Sequence, residues 1–443
     1  MNSKHAFSIL IIAFALRIGY VLLFFEPTHL EAEDQLTYLS LADAILQGNW
    51  SALTPERTPG YPLFLAGVFS LFGKEYLPLL ILQALLDSFT CILIGLLALK
   101  ILRKGFVLAG MLGAVNLNMI VLSSMALTDS MFLFLFTFGL VFSVLYLLEQ
   151  KSAYFVASIA LLSVATMVRS ASYYLLPLLL MLLPVIVLLR RGNLRPLLTL
   201  AATGLLVLGV TLLPQHWRNW HGYQATEFVS QGGTHLLGWV VPAAYQYSGR
   251  AGYSEGQILA RSRLEEALKQ DGLAALPVNP FEASRYQAKV ARSLLDDLGF
   301  YNMIKAWTVS AAINMAVPSV AFAPAVRAMD HPSFYSTPGD GALEKIRNYI
   351  NDTSGAMYLS ILVTGTLTSL AFFLLFLGGW WFAFTDKINF PRSILILFTL
   401  VIFYFLAITG PIIGSKYRLP IEPVMTVFAA YAVILAKSRW AKR

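Results

Sequence analysis

LEAEDQLTYLSLADAILQGNWSALTPERTPGYP, from Leu30 to Pro62, is the first long polar break in an otherwise oily chain. It sets Glu31, Glu33, Asp34, Asp43, Glu56 and Arg57 between an apolar N-terminal segment and a very hydrophobic continuation. A membrane anchor does not need such a segment, whereas a protein doing chemistry at a membrane surface does. From Glu31 to Gln47 the pattern is helical, with Leu36, Leu39, Ala42, Ala44, Ile45 and Leu46 offering an apolar stripe and Gly48 stopping it. Asp34 and Tyr38 are four apart and share a face. A solvated amphipathic helix at the interface is the bland reading. The sharper expectation puts Asp34 in an active site on the outer face of a membrane.

The surroundings support a membrane. The 443 residues are 57% hydrophobic and only 13% charged, with mean hydropathy +0.67, well above a soluble globular chain. Several apolar runs reach the roughly 20 residues that a helix needs to cross a hydrocarbon core of about 30 Å. The net charge of +8 does not indicate nucleic acid, because most Lys and Arg sit in short clusters beside apolar runs. Cys91 is the lone cysteine, so no intrachain disulfide forms. The first apolar segment, Ala6 to Phe25, has no small-residue cleavage site after it and reads as a retained anchor.

Basic clusters set the topology. Lys4 precedes the first span, and Lys100, Arg103 and Lys104 follow the run from Leu77 to Leu99. Lys151, then Arg190, Arg191 and Arg195, then Lys387 and Arg392, and finally Lys437, Arg439, Lys442 and Arg443 follow later runs. Placing all of them in the cytoplasm gives about ten spans with both termini inside. Trp307 to Val326 is apolar enough to cross but holds Asn314, Pro318 and Pro324. Letting it span would put Lys387 and the basic C-terminus outside, so it reads as re-entrant or interfacial. Tyr61 to Phe72 is too short to span and fits a surface helix. The outer face then receives residues 26–76, turns around Asp129 and Arg169, a mixed insertion over 215–355, and the loop from Gly410 to Pro420.

Asp129, in LTDS, is the second outer acid, and an N-cap role accounts for it well. Arg17 and Asp87 are ionisable groups about 10–17 Å below the outer surface at about 1.5 Å rise per residue. They read first as a structural ion pair between two spans and second as a proton relay. Arg169, Arg218, Lys416 and Arg418 lie near outer helix ends, where each alone fits a headgroup contact. Gathered around one cavity they would make a phosphate site.

Several spaced segments resemble one family. They are Arg17 in the first span, EDQLTYLSLADAILQG, RTPGYPLFLAGVFSLFG, LTDSMFLFL, RNWHGY with SQGGTHLLGW, and KYRLPIEP. In that order they resemble the GT-C superfamily of membrane glycosyltransferases, in particular its bacterial family-39-type branch. That branch is related to protein O-mannosyltransferases and lipid A aminoarabinose transferases. The resemblance implies one GT-C membrane domain over 1–443, all-α and polytopic, in the bacterial inner membrane. It implies a polyprenyl-phosphate-linked sugar donor, an extracytoplasmic lipid, glycan or protein acceptor, and inversion at the anomeric carbon. The family's general base maps onto Asp34 and its second acid onto Asp129. Arg57, Arg169, Arg218, Lys416 and Arg418 become candidates for the donor phosphate, with Glu33, Tyr38, Tyr61 and Tyr417 in support. The first-loop motif here is EAED, not D-x-D or an adjacent Asp-Glu pair. The chemistry argues against a tightly bound metal, although Glu33, Asp34 and the donor phosphate leave room for a divalent cation. Two other readings are a secondary transporter or lipid-linked sugar flippase, and an oligosaccharide ligase or polymerase. A transporter would concentrate polar groups at the membrane midplane, and this chain concentrates them in outer loops.

Overall fold

A computed structural model describes residues 3–24, 26, 34–191, 195–332, 337–338, 342–386 and 390–440. The described residues form helices and no strand. Among the described residues seven helices are long and apolar enough to cross a bilayer: Ser3–Phe24, Tyr76–Leu102, Asp129–Glu149, Leu198–Tyr223, Ala356–Thr385, Arg392–Thr409 and Ser415–Trp440. The apolar helices Phe106–Ala114 and Leu117–Ser123 follow each other with a bend of 52°, and they add an eighth crossing if the pair is counted as one span. The chain is a multi-pass membrane protein. Ser152–Val168 and Leu175–Leu189 are apolar but shorter, and about ten crossings are reached only when both are included.

The bend between Phe106–Ala114 and Leu117–Ser123 explains the buried arginine. Arg17 is 0% exposed and its Nε donates to Asp87 Oδ2 at 2.5 Å. Its remaining donors serve Ala13 and Ala114 carbonyls at 3.0 and 3.1 Å, with Gly113 O and Cys91 Sγ at 3.4 Å. Gly113 and Ala114 end Phe106–Ala114, where a helix leaves carbonyls without intrahelical partners. Arginine has five donors and no acceptor, so one side chain closes both the ion pair and the helix end. The structural pairing of Arg17 with Asp87 is what forms here.

Trp307 to Val326 makes no continuous crossing. Helix Phe300–Ala316 stops at Val317, which precedes Pro318, and short turns Ser319–Phe322 and Pro324–Arg327 follow. A residue before proline is steered away from the helical region. The insertion, expected to be mixed, has helices joined by turns and no strand among its described residues. Helices Val241–Ser248, Tyr253–Gln270, Pro280–Leu298 and Phe300–Ala316 close around their own core of Leu237, Val241, Val290 and Leu294.

Removing one partner of a buried ion pair costs about 3–5 kcal/mol, whereas replacing both by apolar groups is often neutral. Arg17→Leu is therefore expected to lower the thermal midpoint in detergent sharply, and Arg17→Leu/Asp87→Leu to regain much of the loss. A single variant as stable as the wild type would contradict the structural assignment.

Candidate active site

The acidic helix of the opening stretch spans Asp34–Leu46. Its buried face is Gln35, Leu39, Leu41 and Ala42, while Leu36 is exposed. Gln35 is the unexpected member. Its Oε1 accepts the Ala126 N–H at 2.8 Å, tying this helix to the loop that leads into Asp129. Asp34 is thereby left at the helix start with its carboxylate 43% exposed.

Each oxygen of that carboxylate faces a cation. Arg57 Nη2 donates to Oδ1 at 2.9 Å and Lys416 Nζ to Oδ2 at 3.4 Å. The Arg57 guanidinium also lies 5.8 Å from the centre of the Tyr38 ring, a cation–π distance. Tyr38 meets Tyr61 edge-on at 5.2 Å. Tyr61 is buried and donates its hydroxyl to Gln83 at 2.6 Å, and Gln83 Nε2 donates to the Met125 carbonyl at 2.8 Å. Lys416 in turn sits 5.6 Å from the Tyr417 ring centre.

The RTPGY turn reaches this place because of its glycine. A Cβ on Gly60 would lie 2.5 Å from the Met167 carbonyl oxygen, so only glycine lets helix Gly60–Phe72 start against the end of Ser152–Val168. Arg169 follows directly and forms an ion pair with Asp129. Asp129 is only 3% exposed and opens helix Asp129–Glu149, where a carboxylate suits the helix dipole. It does not cap through a hydrogen bond: Thr128 holds the cap position without one.

Burial would raise the Asp34 carboxyl, but Lys416, Arg57 and then Arg169 outweigh it and hold it below the usual Asp value. Opposite charges nearby favour the ionised form. His235, on the short helix Gly232–His235 of the insertion, lies within electrostatic reach of Lys416, Arg57 and Asp34. Burial first, and then Lys416 and Arg57, push its imidazole below the usual histidine value.

Asp34, Asp129, Arg57, Arg169, Lys416, Tyr38, Tyr61 and Tyr417 thus form one cluster. Two expected phosphate ligands do not join it. Arg418 is 4% exposed, and its donors go to Glu422 at 2.7 Å and to the Asn314, Met315 and Val317 carbonyls at 2.9 to 3.1 Å. With its fork engaged in the interior, Arg418 is a clamp on the end of helix Phe300–Ala316. Arg218 faces Asn219 and Tyr223 near the end of its own helix. Glu33 lies outside the described residues. Gln35 and His235 carried no signal beyond standing beside Asp34 and within SQGGTHLLGW. Among the described residues no group of three or more His, Cys, Asp or Glu is arranged around a metal position.

Residues 56–214 match the family model described as dolichyl-phosphate-mannose-protein mannosyltransferase, a stretch that runs from beside Arg57 through Arg169. No curated protein matches the sequence. Among solved structures, the Archaeoglobus fulgidus oligosaccharyltransferase tethered to an acceptor peptide aligns with a TM-score of 0.54 at 13% identity, over 99% of this chain and 50% of that one. ArnT from Cupriavidus metallidurans bound to undecaprenyl phosphate gives 0.37 at 14% identity, over 98% and 77% of the two chains. Its apo form gives 0.34 at 14%, over 89% and 70%. The chain spans half the length of the oligosaccharyltransferase that it matches. It has the GT-C fold of membrane glycosyltransferases.

Since Lys416 is the foremost of the groups holding the Asp34 carboxyl down, its removal shifts that carboxyl upward. If activity needs ionised Asp34, the acid limb of kcat/KM lies below the ordinary Asp pKa of about 3.9. In Lys416→Ala it moves to higher pH. An acid limb at the same pH in both proteins would contradict this electrostatic picture.

Proposed function

We propose that this protein transfers a sugar from a polyprenyl-phosphate-linked donor to an acceptor hydroxyl or amine at the extracytoplasmic face of a bacterial inner membrane, with inversion. One observation carries the reading. A half-exposed carboxylate, Asp34, sits among Arg57, Lys416 and the Asp129–Arg169 pair, all at one end of a GT-C helical bundle. The family match described as dolichyl-phosphate-mannose-protein mannosyltransferase supports a lipid-phosphate sugar donor.

The chemistry follows from competition for the cations. In the free protein Arg57 and Lys416 neutralise Asp34. A donor phosphate entering the cluster draws both cations toward its own oxygens, because a guanidinium fork matches phosphate geometry. Asp34 is then freed to accept the acceptor's proton as general base. The acceptor atom bonds to the anomeric carbon while the carbon–oxygen bond to phosphate breaks on the opposite face. The electron pair leaves on the polyprenyl phosphate, and Arg57, Arg169 and Lys416 stabilise the growing charge. Asp129 holds Arg169 in place, and Tyr38, Tyr61 and Tyr417 wall the cluster. A metal has no assigned role in these steps, so transfer is expected to persist within a fewfold in EDTA. Loss on chelation that Mg²⁺ or Mn²⁺ restores would put a cation at Asp34 instead.

Asp34→Asn is expected to lower transfer by about 10²–10⁴-fold, the usual worth of a general base, in protein of normal yield and melting behaviour. Activity within a fewfold of the wild type, across a panel of polyprenyl-phosphate sugars, would remove Asp34 from that role. Cysteine labels at Gly48 and Gly252 should report the outer face, and one at Lys104 the cytoplasm. The opposite pattern would put the cluster on the wrong side for this reaction.

A further inference from the structure

Lys416 stands on the helical turn Ser415–Arg418 that opens the last long helix, and the short loop leading into that turn is fastened with it by a buried polar network. Its centre is Glu422, 0% exposed, at the start of helix Glu422–Trp440. Glu422 Oε1 accepts from Arg418 Nε at 2.7 Å and from Asn118 Nδ2 at 3.1 Å, and Oε2 accepts from Asn116 Nδ2 at 2.9 Å. Asn116 lies at the bend between Phe106–Ala114 and Leu117–Ser123, and Asn118 sits just inside the second of these helices. Asn118 Nδ2 also holds the Ser415 carbonyl at 2.9 Å, one residue before Lys416. On the far side Asn314 donates to the Ile412 carbonyl at 2.7 Å and accepts the Gly414 N–H at 2.9 Å. Arg418 binds the carbonyls that end the same helix.

We propose that Glu422 is a positioning residue that sets the Lys416 ammonium opposite Asp34, with Arg418, Asn116 and Asn118 as its partners. The assignment rests on the transfer reaction proposed above. A buried ion pair adds little net stability compared with apolar groups of the same size. Geometry is what this one supplies. The turn carrying Lys416 is pinned at Gly414, Ser415 and Arg418, which leaves its backbone little room to swing the ammonium away. The Lys416 contact to Asp34 is itself long, at 3.4 Å, and partly exposed, so it does not hold the turn unaided.

Three variants separate positioning from mere support. Glu422→Gln should lower kcat/KM by about 10²-fold, as misplacement of about 1 Å by a remote mutation can. Its acid limb should move to that of Lys416→Ala. In a Lys416→Ala background the same change should cost no more than about threefold further, since coupled residues are not additive. Arg418→Leu/Glu422→Leu removes both charges and should melt near the wild type, yet it should stay as poor in transfer as Glu422→Gln. Wild-type transfer in that double variant, or fully multiplicative losses with Lys416→Ala, would overturn the proposal. A readout independent of turnover is acetylation of Lys416 by acetic anhydride, followed by mass spectrometry against the exposed Lys269. Lys416 should be protected in the wild type and react like Lys269 in Glu422→Gln. Equal protection in both proteins would reject the positioning role. A wild type that labels as expected but transfers no sugar would instead reject the transfer reaction alone.

Discussion

The Asp34 carboxylate lies between cations 23 and 382 residues away along the chain. Partly exposed ion pairs like these contribute about 0–1 kcal/mol, so they cannot assemble the site by their own strength. Buried contacts do that work. Gln35 fastens the Asp34 helix to the loop before Asp129. Tyr61 and Gln83 tie the RTPGY turn to the second crossing and to that same loop. Gly60 admits Met167, and Glu422 fixes the turn that carries Lys416. Weak pairs at the surface are thus held in register by strong, dry ones beneath them. In the proposed reaction the donor phosphate displaces the pairs without dismantling their scaffold.

The same division separates the charges inside the bundle from those at its end. Arg17 and Asp87 neutralise one another in the dry interior, and the leftover donors of Arg17 close a broken helix. Arg418 and Glu422 do the same nearer the site, with neighbouring carbonyls and amides taking the remaining capacity. By contrast Asp34 is 43% exposed and Lys416 33%. Where hydrogen-bonding capacity is spent on the protein the charge is architectural, and where it stays open to solvent it is available to a ligand.

That distinction marks how far the sequence could be read. Helix lengths and hydropathy gave the membrane architecture, and Pro318 told against a further crossing. The helical spacing of Asp34 and Tyr38, and the acid and base at neighbouring outer turns, led to most of the cluster. Both Lys416 and Arg418 are legible as candidates, but not which of them enters the cluster, because they are two residues apart in one chemical class. On the helical turn Ser415–Arg418 that spacing rotates their side chains by roughly 200°. One therefore faces Asp34 and the other the interior, and nothing in the motif says which. Gln35 gives no signal in the sequence because a polar residue on an amphipathic helix is ordinarily solvated, whereas here it is the anchor. His235 depends on how the insertion folds back over the bundle, which no local pattern encodes.

On the proposed function, Arg57, Arg169 and Lys416 form a lipid-phosphate site beside Asp34. Its most direct test is native mass spectrometry of the purified protein titrated with undecaprenyl phosphate, set against the Arg57→Ala/Lys416→Ala variant. Saturable binding by the wild type that is lost in the variant is the predicted result. Equal binding of the lipid by both proteins would contradict it.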